Sequence, residues 1–120
     1  MSTESTATDP DCLFCKIVAQ QIPAEIVQES DHTVAFNDID PKAPVHVLVV
    51  PRVHQPDIGS LADAAPEVAA ALLQDARRVA EQLGHESYRL VFNTGAEMNQ
   101  TVFHAHGHVL AGGSSVGEPG

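Results

Sequence analysis

The 120-residue sequence predicts an α+β fold: a mainly antiparallel sheet with one short and one long helix. Three observations predict it. Only one long stretch, from about 63 to 83, repeats its apolar residues at intervals of three and four. Short runs rich in Val, Ile, Phe and Tyr, bounded by proline, glycine and polar turns, fill much of the remainder. These runs come as a hairpin, a lone strand and a closing pair, not in strict alternation with helices.

The opening MSTESTATDPD is small, polar and proline-terminated, so residues 1–10 read as a disordered tail and 11–120 as one domain. DCLFCKIVAQQIP predicts a short helix from about Cys12 to Gln20, stopped ahead of Pro23. EIVQES and TVAFNDI flank Ser30, Asp31 and His32 as the arms of a β-hairpin. HVLVV, bounded by prolines, has the unbroken apolar character of an interior strand covered on both faces. Val68, Leu72, Ala76, Val79 and Leu83 form the stripe of the long helix, with Pro66 in its first turn and Gly84 at its stop. YRLVFN and VFHAHGHVL read as the last two strands, joined by the polar loop NTGAEMNQT, and AGGSSVGEPG as an irregular tail.

A net charge of −10 opposes non-specific binding to nucleic acid or anionic membrane, which needs clustered Lys and Arg. The six basic residues are scattered, so a bound phosphate has to be held by local donors, histidines and backbone amides. No apolar run is long enough to span a bilayer and no secretory signal is visible, which gives a cytoplasmic address as the default.

HAHGH places His104, His106 and His108 at alternate positions, hence on one face of a strand. An ordinary wet face draws on Thr, Lys, Glu and Arg. Imidazole offers a nucleophilic nitrogen, a proton carrier near neutrality and a metal ligand, so the triplet is either a reactive surface or a metal site. Cys12 and Cys15 lack the preceding buried strand of a thioredoxin-like redox pair and read better as a chelating pair, for which His54 and His104 are candidate partners. Four closed protein ligands make a structural site.

CLFCKIV, IPAEIV, VAFNDIDPKAPVHVLVVPRVH, YRLVFNTG, NQTVFHAHGHVL and the final PG together resemble the histidine triad (HIT) family, in its Hint branch of nucleotide-binding hydrolases and transferases. The resemblance runs from about Asp11 to the end. It implies a HIT-like fold, a homodimer joined through the long helix and the following strand, and purine nucleotide binding (AMP, GMP or a phosphoramidate). It implies His106 as nucleophile at the α-phosphorus, its second nitrogen held by the His104 carbonyl, with His108 donating to a phosphate oxygen and His46 in support. Thr101 matches a hydroxyl near the scissile bond, Asp38 the carboxylate for the ribose hydroxyls, and Asn37, Asn93, Asn99 and Gln100 further nucleotide contacts. Amides of the 99–101 loop match a phosphate cradle. Leu13, Phe14, Phe36 and Ile39 match the enclosure of the base. The set Cys12, Cys15, His54 and His104 matches relatives that hold a structural Zn2+.

The chain departs from the family pattern at Ala105 and Gly107, where larger apolar residues are usual, at Asn99, often glycine, and in a tail without tryptophan. A glycine there weakens the strand unless a neighbour fills its space. The implied activity is hydrolysis of purine nucleoside 5′-phosphoramidates through a nucleotidyl-histidine intermediate. Hydrolysis of dinucleoside polyphosphates, a nucleotide-sensing or partner-binding module with little turnover, and a histidine-bound metallohydrolase are the alternatives.

Overall fold

The computed structural model describes residues 9–113 and 119, so most of the predicted N-terminal tail and residues 114–118 and 120 lie outside it. The elements run α1 (Leu13–Val18), β1 (Ile26–Glu29), β2 (Thr33–Asn37), β3 (Val45–Pro51), α2 (Ile58–Ala64), α3 (Pro66–Gln82), β4 (Arg89–Val91) and β5 (Gly107–Ala111). The strands form one sheet in the order β1-β2-β3-β5-β4, every neighbouring pair antiparallel.

β3 lies at the centre, and its continuous apolar run has the predicted cause. Val47 and Val49 pack with Leu72, Ala76 and Val79 of α3, while Leu48 and Val50 pack with Phe14, Cys15 and Ile17 of α1. Helices thus cover both faces of the strand. The pairing Leu48↔His108 and His46↔Leu110 puts both histidines on the α1 face, where Phe36 also points. That face carries the chemistry. The α3 face carries the main core.

Four expectations need correction. The helix expected from about 63 starts only at Pro66, because Ala65, with φ −149°, is excluded from the α region ahead of proline and separates it from a shorter helix. Pro66 then opens α3, and Asp57 caps the unforeseen α2 through Ser60 N–H at 2.8 Å. Leu83 is not part of the buried stripe: it is the C-cap and 41% exposed, while Gly84 at φ +89° sends its N–H to Glu81 O and His85 sends its own to Ala80 O. α1 ends at Val18 rather than Gln20, which has φ +62°. Lastly, β5 begins at Gly107, so His104 and His106 precede the strand. Continuing the Val49↔Gly107 register would set Ala105 opposite Pro51, which has no N–H to give, and Ala105 N–H turns to Gln55 O at 2.7 Å.

The strand predicted over 88–93 pairs only at Arg89–Val91. His32 is exposed and His85 half-buried. No helix among the described residues is long and apolar enough to cross a membrane.

Candidate active site and adjoining metal centre

The three histidines of HAHGH do not share one environment. All are buried, at 0%, 3% and 0% exposure in order, and each ring has different partners. His106 donates Nδ1–H to the carbonyl of His104 at 2.7 Å, which leaves the Nε2 lone pair without a partner among the described residues. Burial lowers its pKa against the opposing effect of that hydrogen bond, so the ring is neutral near pH 7. Phe14 stands edge-on to it with centroids 5.0 Å apart.

A chain of contacts fixes the tautomer of His108. The backbone N–H of Lys42 donates to His46 Nδ1 at 3.0 Å, so the neutral His46 ring carries its proton on Nε2. That proton goes to His108 Nδ1 at 2.9 Å, with Asp38 Oδ2 a longer alternative at 3.3 Å. His108 Nδ1 is then the acceptor and Nε2 bears hydrogen. His108 Nε2 is the one sealed side-chain nitrogen or oxygen without a hydrogen-bond partner among the described residues. Burial, followed by His106 and His46, pushes the His108 pKa down to about 3, so this N–H belongs to a neutral ring. An orphan buried donor costs about 1–3 kcal/mol.

Asp38, His46 and His108 also place one ligand atom each within 4.8 Å of one another. The tautomers argue against a metal there: an ion on His46 Nε2 would require a proton on Nδ1, which already faces the Lys42 N–H. Burial lowers the His46 pKa despite the neighbouring Asp38, so that contact is imidazole to carboxylate and not an ion pair.

The second cluster has the opposite character. His104 Nδ1 lies 3.4 Å from Cys12 Sγ, 3.4 Å from Cys15 Sγ and 3.2 Å from His54 Nδ1, and Cys15 Sγ lies 3.4 Å from His54 Nδ1. Tetrahedral Zn2+ with two sulfur and two nitrogen ligands has edges of about 3.4–3.8 Å. The donor set therefore fits, slightly contracted. His104 gives Nε2–H to Pro51 O at 2.8 Å, which turns its Nδ1 lone pair toward the cluster, and burial pushes its pKa down to about 4. Burial pushes the Cys15 thiol up to about 11 without a metal, while the N–H groups of Asp9 and Cys15 already point at the two sulfurs.

Around the histidines, Phe14 and Phe36 are buried with centroids 5.6 Å apart, Leu13 is 44% exposed and Ile39 fully exposed beside Asp38. Asp38 keeps lone pairs free, though Oδ1 accepts Asp40 N–H at 2.8 Å. Asn37 is not brought to the site: alternation along β2 puts it on the Ala35 side, and its amide donates to Glu25. Asn93 gives Nδ2–H to Pro119 O at 2.8 Å. Asn99 has φ +69°, which accounts for glycine being usual there. Of the 99–101 amides, Asn99 and Gln100 donate to Ala96 O and Gly95 O; only Thr101 N–H is without an acceptor among the described residues. The Gln100 side chain is buried and fully engaged. Thr101, Leu13 and Phe103 border a cleft of about 330 Å³ that reaches Cys12 and His54. A wider hollow of about 540 Å³, beside Tyr88, Arg89 and Leu110, contains none of the predicted site residues.

Sequence reasoning missed three groups: the Lys42 amide, the Pro51 carbonyl and the Gln55 carbonyl. All are backbone atoms, and no residue type signals them.

Comparison with known proteins places these features in context. The HIT domain model matches residues 19–115. A HIT-like protein of Synechocystis is 45% identical over 103 residues, covering 85% of this chain and 90% of that protein. The purine nucleoside phosphoramidase of Escherichia coli K12 is 35% identical over 104 residues, 85% of this chain and 87% of that one. The crystal structure of a HIT family hydrolase from Legionella pneumophila superposes with a TM-score of 0.84 at 40% identity, covering 92% of this chain and 100% of that chain.

Proposed function

The chain belongs to the HIT domain family, and on that premise we propose that it hydrolyses purine nucleoside 5′-phosphoramidates through a nucleotide bound covalently to His106. One observation carries the reading: a neutral His106 with Nδ1–H tied to the His104 carbonyl and Nε2 unpartnered, beside a His108 Nε2–H that has no acceptor. The first supplies a lone pair for attack, the second a donor for the oxygen on which charge builds.

In this reaction His106 Nε2 bonds to the α-phosphorus, the P–N bond to the amine breaks, and the leaving nitrogen takes a proton from solvent by way of the Thr101 hydroxyl. Water then attacks the phosphorus and gives up a proton to solvent, the P–N bond to His106 breaks, and the nucleoside monophosphate leaves with the imidazole restored. His108 Nε2–H and the free Thr101 amide hold the non-bridging oxygens. Asp38 accepts the ribose hydroxyls, and the base lies among Phe14, Phe36, Leu13 and Ile39, the last of which touches nothing without it. Cys12, Cys15, His54 and His104 hold a structural Zn2+, whose role is to fix the backbone that presents His106 and not to enter the chemistry. β4 is a sheet edge and Leu73 of α3 is 50% exposed, which supports a homodimer through these elements. Two thiols placed for a metal rather than a disulfide suit a cytoplasmic setting.

The test uses an adenosine 5′-phosphoramidate with wild type, His106→Asn and the Cys12→Ser/Cys15→Ser double variant, recording zinc content and quenched adducts by mass spectrometry. His106→Asn should lose the adduct and turnover by at least about a thousandfold while keeping its zinc. The double variant should lose zinc and melt lower, yet retain chemistry where folded. Turnover that survives in His106→Asn but disappears with a chelator would replace this reading by metal-dependent hydrolysis. AMP binding without turnover by wild type would replace it by nucleotide sensing.

A further inference from the structure

We propose that Gln100 is a positioning residue, which holds the loop carrying the free Thr101 amide and the run leading to His106, and does not itself touch the nucleotide. The inference rests on the assignment of His106 as nucleophile, and it departs from the contact role that the sequence resemblance implies for Gln100.

Its geometry is that of a staple. Gln100 is 3% exposed, and its side chain bonds to three segments of chain. Oε1 accepts Gly95 N–H at 2.8 Å, while Nε2 donates to Pro56 O at 2.6 Å and to Val102 O at 3.1 Å. Its own backbone N–H returns to Gly95 O at 3.1 Å, closing the loop from 95 to 100 by two bonds between the same pair of residues. Both amide protons are spent. Reaching a phosphate would mean abandoning two carbonyls.

Residues 100–105 need such a device because they lack a strand partner. The connection from Pro51 to Pro56 serves as their template: Pro51 O takes His104 Nε2–H, Gln55 O takes Ala105 N–H, and Pro56 O takes Gln100 Nε2–H. Gln100 anchors the first half of this run and His104 and Ala105 the second. Thr101 sits between the Gln100 backbone and the clamped Val102 carbonyl, so the direction of its free N–H is set from both sides. The His104 carbonyl that orients His106 lies two residues beyond Val102. Gln100 thus fixes residues 100–102, which lead directly into the segment whose carbonyl orients His106.

Gln100→Met keeps the length of the side chain and removes all three bonds. In the full-length protein three quantities separate the possible roles: the single-turnover rate of adduct formation, the calorimetric affinity for AMP, and the proton NMR signal of His106 Nδ1–H. A positioning role predicts adduct formation slowed about 10- to 100-fold, AMP affinity changed less than about threefold, and a His106 Nδ1–H signal that shifts or exchanges faster. AMP affinity falling in step with the rate would overturn the proposal in favour of direct contact. A lower melting temperature with rate per folded molecule and NMR signal unchanged would overturn it in favour of stability alone. Were wild type to form no adduct, the nucleophile reading would fall separately; a moved signal in Gln100→Met would still support the hold on His106, and an unmoved one would refute it.

Discussion

Gly107 shows how one residue departs from a family pattern without loosening the strand. A Cβ at this position would stand 2.9 Å from Leu90 Cδ1 and 3.0 Å from Phe92 Cε1, so the volume missing from β5 is filled by side chains at and just beyond β4. Neighbours do fill the space left by the glycine, so a larger residue here meets a clash. Gly107→Leu should destabilise by about 1–3 kcal/mol in denaturant unfolding, and Leu90→Ala should recover part of the loss when combined with it. Independent, additive effects would mean that the two side chains do not compete for the space. His46 offers a second test. It is within reach of no substrate atom through its Nδ1, which faces Lys42 N–H, yet it sets the proton on His108. His46→Leu should slow adduct formation about 100-fold without loss of zinc, and an unchanged rate would dismiss the tautomer chain. These roles explain what the sequence could and could not show. The triad residues were legible as side chains at period two. The division proposed for them, into ligand, nucleophile and donor, rests on the carbonyls of Pro51 and His104 and the amide of Lys42, which no side-chain pattern encodes.

Elements were legible where a repeating pattern met its ordinary partner, and misread where one proline changed the chain's options. The central strand followed from an unbroken apolar run, the hairpin from two β-forming runs about a polar turn, and most of the α3 stripe from apolar periodicity. The break at Ala65 and the late start of β5 followed instead from Pro66 and Pro51, the first excluding α geometry before it and the second withholding a ladder donor. Asp75 is an element-scale feature that periodicity hid among the polar positions of α3. It is 1% exposed, and Ser30 Oγ–H and Thr33 Oγ1–H donate to its Oδ2 at 2.6 and 2.7 Å while Arg78 donates to Oδ1 at 2.8 Å. One carboxylate thus pins the β1–β2 turn to α3. Burial works to raise its pKa, but the bonds from Ser30, Thr33 and Arg78 outweigh it and the net shift is downward. A lowered folded pKa contributes stability above the ordinary carboxylate value of about 3.9, and that contribution is lost as pH falls through the folded value. Asp75→Asn should therefore cost about 1–3 kcal/mol near neutral pH, with the gap to wild type closing below about pH 4. A gap that stays constant across this range in thermal unfolding would assign the loss to packing instead.

At the scale of the whole molecule, net charge and local chemistry pull in opposite directions. A chain carrying −10 has to admit a nucleotide anion, and the donors assigned to the phosphate are neutral: a His108 ring kept uncharged by burial and the Thr101 backbone amide. Four of the six basic side chains are in ion pairs among the described residues: Lys42 with Asp40, Arg52 with Glu29, Arg77 with Glu81 and Arg78 with Asp75. Phosphate sites built on Lys and Arg weaken with salt because ions screen the attraction. Here the attraction has little net charge to screen, whereas the repulsion is long-ranged: the Debye length is about 30 Å at 0.01 M salt and about 8 Å at 0.15 M, against a radius of gyration of 13.5 Å. Added salt should remove more repulsion than attraction. AMP affinity, measured by calorimetry with an indifferent salt such as potassium chloride, should rise severalfold between about 0.01 and 0.15 M. A fall over the same range would show that a cation, whether Lys42 released from Asp40 or a protonated histidine, meets the phosphate, and would return the neutral tautomers argued for His46 and His108 to question.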